Sequence, residues 1–357
     1  MPEIIEPINL IKVITPAVIA FAVGVLITPI LTHYLYTYRA WKKTPGKSAL
    51  DGTEAVEFNR LHKEREGNVP RMGGVVIWGS AFITILGMWL AAQVFPTAAT
   101  IKMDFLSRAQ TWIPLFTLGA GAFVGLLNDL FDVVHRGEGI TLKRRLLFVC
   151  ALSAFIGWWF FAKLDITAVG IPFGELLEIG WLIIPFFMMV SLALYASGII
   201  DGIDGLAGGV FAAAFAAYAG IALAQNQIDL AAFSAMITGG LLAFLWFNIP
   251  PARFFMTETG TMALTLTLAT IAFMTDALGE GIGIFVLPII GFLLVATVAS
   301  SILQMLFKHF LGKKIFRIAP LHHHFEAIGW PSAKVVMRYW VLAVMFAFIG
   351  SIVALIG

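Results

Sequence analysis

Ten stretches of this chain are apolar for about as long as a lipid bilayer is thick, and that property decides most of what it can fold into. A membrane-spanning helix needs about 20 mostly apolar residues. Such runs fall at 15–36, 72–95, 113–133, 145–162, 178–200, 205–225, 230–249, 260–278, 284–307 and 335–356. Composition agrees: 60% of the 357 residues are apolar and 12% are charged. A soluble domain carries about 25% charge. A soluble enzyme and a disordered chain are thereby excluded, and a net charge of +2 gives no bulk attraction to nucleic acid. A single cysteine, Cys150, rules out a disulfide framework and a cysteine-based zinc site. We read residues 1–357 as one integral membrane domain, an all-α polytopic bundle without internal repeats. No basic n-region precedes the first span and no cleavage site follows it, so no removable signal peptide is expected.

The cations set an orientation. Of the 23 Lys and Arg residues, all but Lys12, Lys102, Arg108 and Lys163 fall in loops after odd-numbered spans. The positive-inside rule puts those loops in the cytoplasm and both termini outside. On the outer side, residues 164–177 carry Gly170 and Pro172 between β-branched residues, a pattern that fits a small hairpin.

Ionisable groups at span ends are costly in lipid and are functional candidates for that reason. Four clusters qualify, all on the expected cytoplasmic side. Asn128, Asp129 and Asp132 end the third span, the two aspartates three apart and so on one helix face. Asp201 and Asp204, each followed by glycine, fill a gap too short for a loop between the fifth and sixth spans. A plain turn would need only one of each, whereas paired carboxylates on a glycine turn can bind a divalent cation, orient a sugar or share protons. Asn248 closes the seventh span, Pro250–Pro251 forbid its continuation, and Glu258 stands at the start of the next helix as a candidate hard-metal ligand. His322, His323 and His324 occupy a basic loop before the last span. Adjacent side chains cannot all converge on one ion, so phosphate contacts suit them as well as metal does. Together these groups describe a shallow cytoplasmic cleft with several carboxylates, Mg²⁺ and many cations. Such a mixture handles phosphate, and the bilayer makes the second reactant a lipid.

The motifs PRMGG (70–74), NDLFD (128–132), DGIDGL (201–206), FLWFN (244–248) and APLHHHFE (319–326) carry a resemblance. In that order they resemble the polyprenyl-phosphate N-acetylhexosamine-1-phosphate transferases over nearly the whole chain. The triple histidine is most similar to the bacterial branch that uses UDP-N-acetylmuramoyl-pentapeptide. The resemblance implies transfer of phospho-N-acetylmuramoyl-pentapeptide to undecaprenyl phosphate, giving lipid I and UMP, with Mg²⁺ required. It implies an inner-membrane enzyme of peptidoglycan precursor synthesis. Asp201 and Asp204 match the family's paired aspartates, with Asp201 and Glu258 toward the metal. Asp129 and Lys143 match further catalytic positions. Asn248, His322 and His323 match substrate contacts, with Asn128 beside them and His324 in a supporting role. The family's paired aspartates after the third span stand here as Asn128–Asp129, and its metal-binding aspartate as Glu258. Its asparagines before DGIDGL stand as Tyr195 and Gly198. With Asn128 unable to act as a base, Asp129 is the remaining carboxylate for that role. A transferase of another UDP-sugar, a secondary transporter and a catalytically impaired relative remain alternatives. The oligomeric state is open, a homodimer included.

Overall fold

The computed structural model describes residues 6–44, 46, 56–107, 109–135, 139–276, 278–279 and 281–357. Lys47, Arg108 and Arg136, three of the cations that set the orientation, lie outside the described residues. The chain is a helical bundle with helices α1 (Pro7–Thr37), α2 (Val56–Glu66), α3 (Val75–Val94), α4 (Ala98–Met103), α5 (Trp112–Val134) and α6 (Leu142–Leu164). After a two-stranded hairpin come α7 (Ile183–Ser197), α8 (Leu206–Ala224), α9 (Ile228–Asn248) and α10 (Thr257–Met274). The last part holds α11 (Gly283–Ile290), α12 (Phe292–Leu311), α13 (Leu321–Ala327) and α14 (Ser332–Ile356). In the hairpin, β1 (Ala168–Val169) pairs antiparallel with β2 (Leu177–Glu178), as the turn residues foretold.

Among the described residues, nine helices are long and apolar enough to cross a membrane, α7 being extended by short helical turns to Gly180–Ile200. The tenth expected span is α10, and its difference from the rest has a physical cause. It carries Thr257, Thr259, Thr261, Thr265, Thr267 and Thr270, and every residue from Thr259 to Met274 is buried. Thr265, Thr267 and Thr270 bond back to carbonyls four residues earlier, so polar side chains sit in the interior without orphaned hydroxyls. A helix enclosed by protein has no need of an apolar surface. One expected span is corrected: the 284–307 run is two helices, α11 and α12, broken at Gly291.

Packing separates interior from periphery. Of the most apolar stretches of α8 and α9, 72% of the residues are buried, against 22% for α1, α12 and α14. Those last three present leucine, isoleucine and phenylalanine outward, as lipid-facing helices do. α9 packs on α1, α3 and α8, while α10 packs on α5 and α7. This brings the end of α5, the gap before α8 and the start of α10 to one end of the bundle. At the other end, buried Asp276 accepts backbone N–H bonds from Gly170 (2.8 Å) and Ile284 (3.0 Å), tying the hairpin to the segment between α10 and α11.

Candidate active site

Three of the four polar clusters meet through hydrogen bonds around the start of α10. Asp129, fully buried, accepts through Oδ2 from the Thr257 hydroxyl (2.5 Å), the Thr259 amide (2.8 Å) and the Thr259 hydroxyl (2.6 Å). Its Oδ1 accepts from Arg71 Nη2 (3.1 Å) and more weakly from Asn128 Nδ2 (3.4 Å). The carboxylate therefore satisfies orphan donors at a helix N-terminus, where negative charge is favoured. Both its oxygens are engaged in this arrangement. Asn128 spends its own oxygen on the Ile140 amide (2.9 Å), pinning the α5–α6 connection.

Asp201 Oδ2 accepts from the Thr257 amide (2.8 Å), one residue from Glu258, so two predicted metal ligands stand at neighbouring points. Asp204 is buried and accepts from the Ala252 amide (3.0 Å). The turn that carries both aspartates is shaped by Gly205, whose φ of +79° lies in the left-handed region open to glycine. Gly205 donates its N–H to Asn248 Oδ1 (2.9 Å) and its carbonyl accepts from Trp340 Nε1 (3.0 Å). Asn248 also donates from Nδ2 to the Phe254 carbonyl (2.8 Å) and is only 3% exposed. Both ends of its amide hold backbone. Asn248→Ala is expected to cost about 1–3 kcal/mol of stability by leaving two buried backbone groups unpaired. Thermal unfolding in detergent checks this, and a raised KM at unchanged stability would return Asn248 to the substrate.

Glu258 pairs through Oε1 with Arg145 and receives the Tyr195 hydroxyl at 3.4 Å. Its Oε2 is buried with no hydrogen-bond partner among the described residues. An oxygen of that kind, on the residue after one whose amide Asp201 holds, fits a hard cation, for which carboxylate oxygens are the usual ligands. Lys143, expected here, is exposed, and the cation that pairs with Glu258 is Arg145. Two residues apart on α6, the pair points to different sides of the helix.

Beside Glu258 opens a cavity of about 800 Å³ lined by Lys42, Arg71, Asp132, Arg144, Arg145 and Glu258, among others. Arg71 is held by Asp129 and Asp132, both at 3.1 Å. The buried Nε atoms of Arg71 and Arg145 have no hydrogen-bond partner among the described residues. Two fixed guanidinium groups with spare donors suit phosphate oxygens. In the sequence these cations serve only to set orientation, although PRMGG contains Arg71.

The histidines sit on a short helix, α13, rather than in an open loop. His322 and His323 are buried, their rings 4.4 Å apart. A Cβ built on Gly202 would stand 2.5 Å from His323 Nε2 and 2.7 Å from His322 Nε2, so both rings close over the aspartate turn and only glycine fits beneath them. His324 turns away: its Nδ1 accepts from the Arg317 amide (3.2 Å). Burial and the Arg317 cation hold its imidazole below the usual range, as an acceptor nitrogen requires.

Fold and site thus define a polytopic membrane protein with an anionic centre, a cationic cavity and a histidine roof, the equipment of phosphate-ester chemistry at a membrane. Residues 111–276 match the profile of Glycosyl transferase family 4. The phospho-N-acetylmuramoyl-pentapeptide-transferase of Anoxybacillus flavithermus is 34% identical over 337 residues, covering 93% of this chain and 94% of the relative. The protein of the same name from Bacillus subtilis is 34% identical over 338 residues, covering 92% and 94%. That of a Geobacillus species is 33% identical, covering 93% and 95%. The chain belongs to the phospho-N-acetylmuramoyl-pentapeptide-transferase family.

Proposed function

We propose that this protein transfers phospho-N-acetylmuramoyl-pentapeptide from its UDP conjugate to undecaprenyl phosphate, forming lipid I and UMP on the cytoplasmic face of a bacterial membrane. The observation that carries the reading is the Glu258–Arg145 pair in a cavity lined by four cations, with Asp201 bonded to the backbone amide of the residue before Glu258. An oxygen of the lipid phosphate attacks the β-phosphorus of the nucleotide sugar. A new P–O bond forms, the bond from the β-phosphorus to the oxygen bridging it to the α-phosphorus breaks, and its electron pair leaves with UMP.

Each group of residues has a distinct role. Arg71 and Arg145 bind and orient phosphate oxygens, with Lys42 and Arg144 at the rim adding charge. His322 and His323 lie over the aspartate turn and meet the nucleotide sugar. Glu258, through its spare Oε2, and Asp201 would hold Mg²⁺. That ion supplies charge neutralisation at the pyrophosphate. No base is required of Asn128 or Asp129, because a phosphate monoester has a second pKa of about 6 and is mostly dianionic at neutral pH.

The reading is tested by supplying purified protein, Mg²⁺ and undecaprenyl phosphate with each nucleotide sugar in turn and following UMP. Release with UDP-N-acetylmuramoyl-pentapeptide supports it. Release only with UDP-N-acetylglucosamine moves the protein to another substrate. In the same assay Arg145→Ala is expected to lower kcat/KM at least roughly tenfold through loss of a charge-assisted contact. Lys143→Ala is expected to change it less than about threefold, as for an exposed charge. Equal losses would reinstate Lys143.

A further inference from the structure

Glu326 lies one turn beyond His323 on α13 and has no part in the scheme above, yet it is held by three side-chain hydrogen bonds. It is 7% exposed. Its Oε2 accepts from His323 Nδ1 (2.8 Å) and from His62 Nε2 (2.9 Å), and its Oε1 accepts from the Ser332 hydroxyl (2.6 Å). His62 arrives from α2, far away in sequence, and its ring centroid lies 5.0 Å from that of His323. Burial pushes the Glu326 carboxyl up, but the bonds from His323, His62 and Ser332 outweigh it and hold it well below the usual carboxylate range.

An ionised carboxylate only accepts hydrogen bonds, so each imidazole nitrogen facing it must carry a proton. With the proton at Nδ1 pointed to Glu326, His323 presents Nε2 toward Gly202 and the aspartate turn. The three side chains also bring potential metal-ligand atoms within 4.8 Å of one another. Their contacts to the shared oxygen have hydrogen-bond lengths, however. Ligands about 2.0 Å from a tetrahedral ion would stand roughly 3.3 Å apart. Protons account for the spacing.

We propose that Glu326, braced by His62 and Ser332, is a positioning residue that fixes the tautomer and ring orientation of His323 and so aims Nε2 at the nucleotide sugar. The logic is that of a carboxylate behind a functional imidazole, where the partner sets which nitrogen faces the substrate. The inference rests on the reading that His323 contacts that substrate. It also gives α2 a role, since His62 ties this helix, from the segment before α3, to the roof of the pocket.

A double-mutant cycle tests it. His323→Ala, Glu326→Ala, Glu326→Gln and the double alanine variant are assayed with the nucleotide sugar and undecaprenyl phosphate varied separately. Glu326→Ala should raise KM for the nucleotide sugar about tenfold, as loss of a hydrogen bond to a charged group does. KM for the lipid phosphate and the yield of folded protein should stay at wild-type levels. The double variant should be no worse than His323→Ala alone, and Glu326→Gln, which keeps an acceptor oxygen, should recover most of the loss. Multiplying losses in the double variant overturn the proposal. So does a rise of both KM values together with a poorer yield, which would make Glu326 a structural staple. Stoichiometric Zn²⁺ on the wild-type protein that is lost in Glu326→Gln would replace the proton clamp with a metal site. If the wild-type protein turns over a different UDP-sugar, the substrate reading fails, yet the cycle is run unchanged with that sugar.

Discussion

Glu258→Gln is expected to lower the rate of UMP release about a hundred- to a thousandfold, roughly 2.7–4 kcal/mol. The substitution keeps size and one acceptor oxygen but removes the charge that pairs with Arg145 and supplies the buried, unpartnered Oε2. Two functions are lost together, since Arg145 loses its partner and the anionic centre it shares with Asp201 loses a carboxylate. Titration with Mg²⁺ at saturating substrates separates them. A raised requirement for the ion supports ligation by Glu258. Wild-type activity with an unchanged Mg²⁺ requirement would remove Glu258 from the site.

The second large effect falls on stability. Asp129→Asn is expected to destabilise the protein by about 3–5 kcal/mol, the cost of breaking one side of a buried ion pair. Arg71 loses its counter-charge. An amide at this position would also turn an N–H₂ group toward donors, either the Thr259 and Thr257 groups or the guanidinium. Denaturation of the purified protein in detergent measures the change. The pH profile of the surviving activity should keep its shape, as expected of a residue that anchors the start of α10. An Asn variant with wild-type stability and a rate lost only at neutral and acidic pH would make Asp129 the base after all.

These two residues show what the sequence conveys and what it withholds. Spans are legible because bilayer thickness imposes a length on each apolar run, and the bounds of α3, α5, α8 and α9 follow the expected ones closely. The break at Gly291 is marked in the sequence only by Gly291 itself and by Pro288 three residues earlier, because the run is continuously apolar across it. The polar clusters are legible because charge near lipid is costly, and all four come together. Their division of labour is not. Asp129 and Asn248 stand out in sequence as polar groups at span ends, but the Thr259 and Gly205 amides that they hold arrive from distant segments. Lys143 and Arg145 stand close together in a run of cations, and helical phase decides between them. His323 and Glu326 stand three apart on one helix face, a spacing visible in HHHFE, but the third member, His62, is supplied by tertiary folding alone.

The central claim is a transfer between two specific molecules, and the lipid product tests it most directly. Purified protein is incubated with Mg²⁺, UDP-N-acetylmuramoyl-pentapeptide and undecaprenyl phosphate, and the organic phase is analysed by mass spectrometry beside UMP in the aqueous phase. The expected product is undecaprenyl diphosphate bearing N-acetylmuramoyl-pentapeptide, formed in a one-to-one ratio with UMP and absent when the lipid phosphate is omitted. UMP appearing without the lipid phosphate, or an organic phase without the amino sugar, would contradict it.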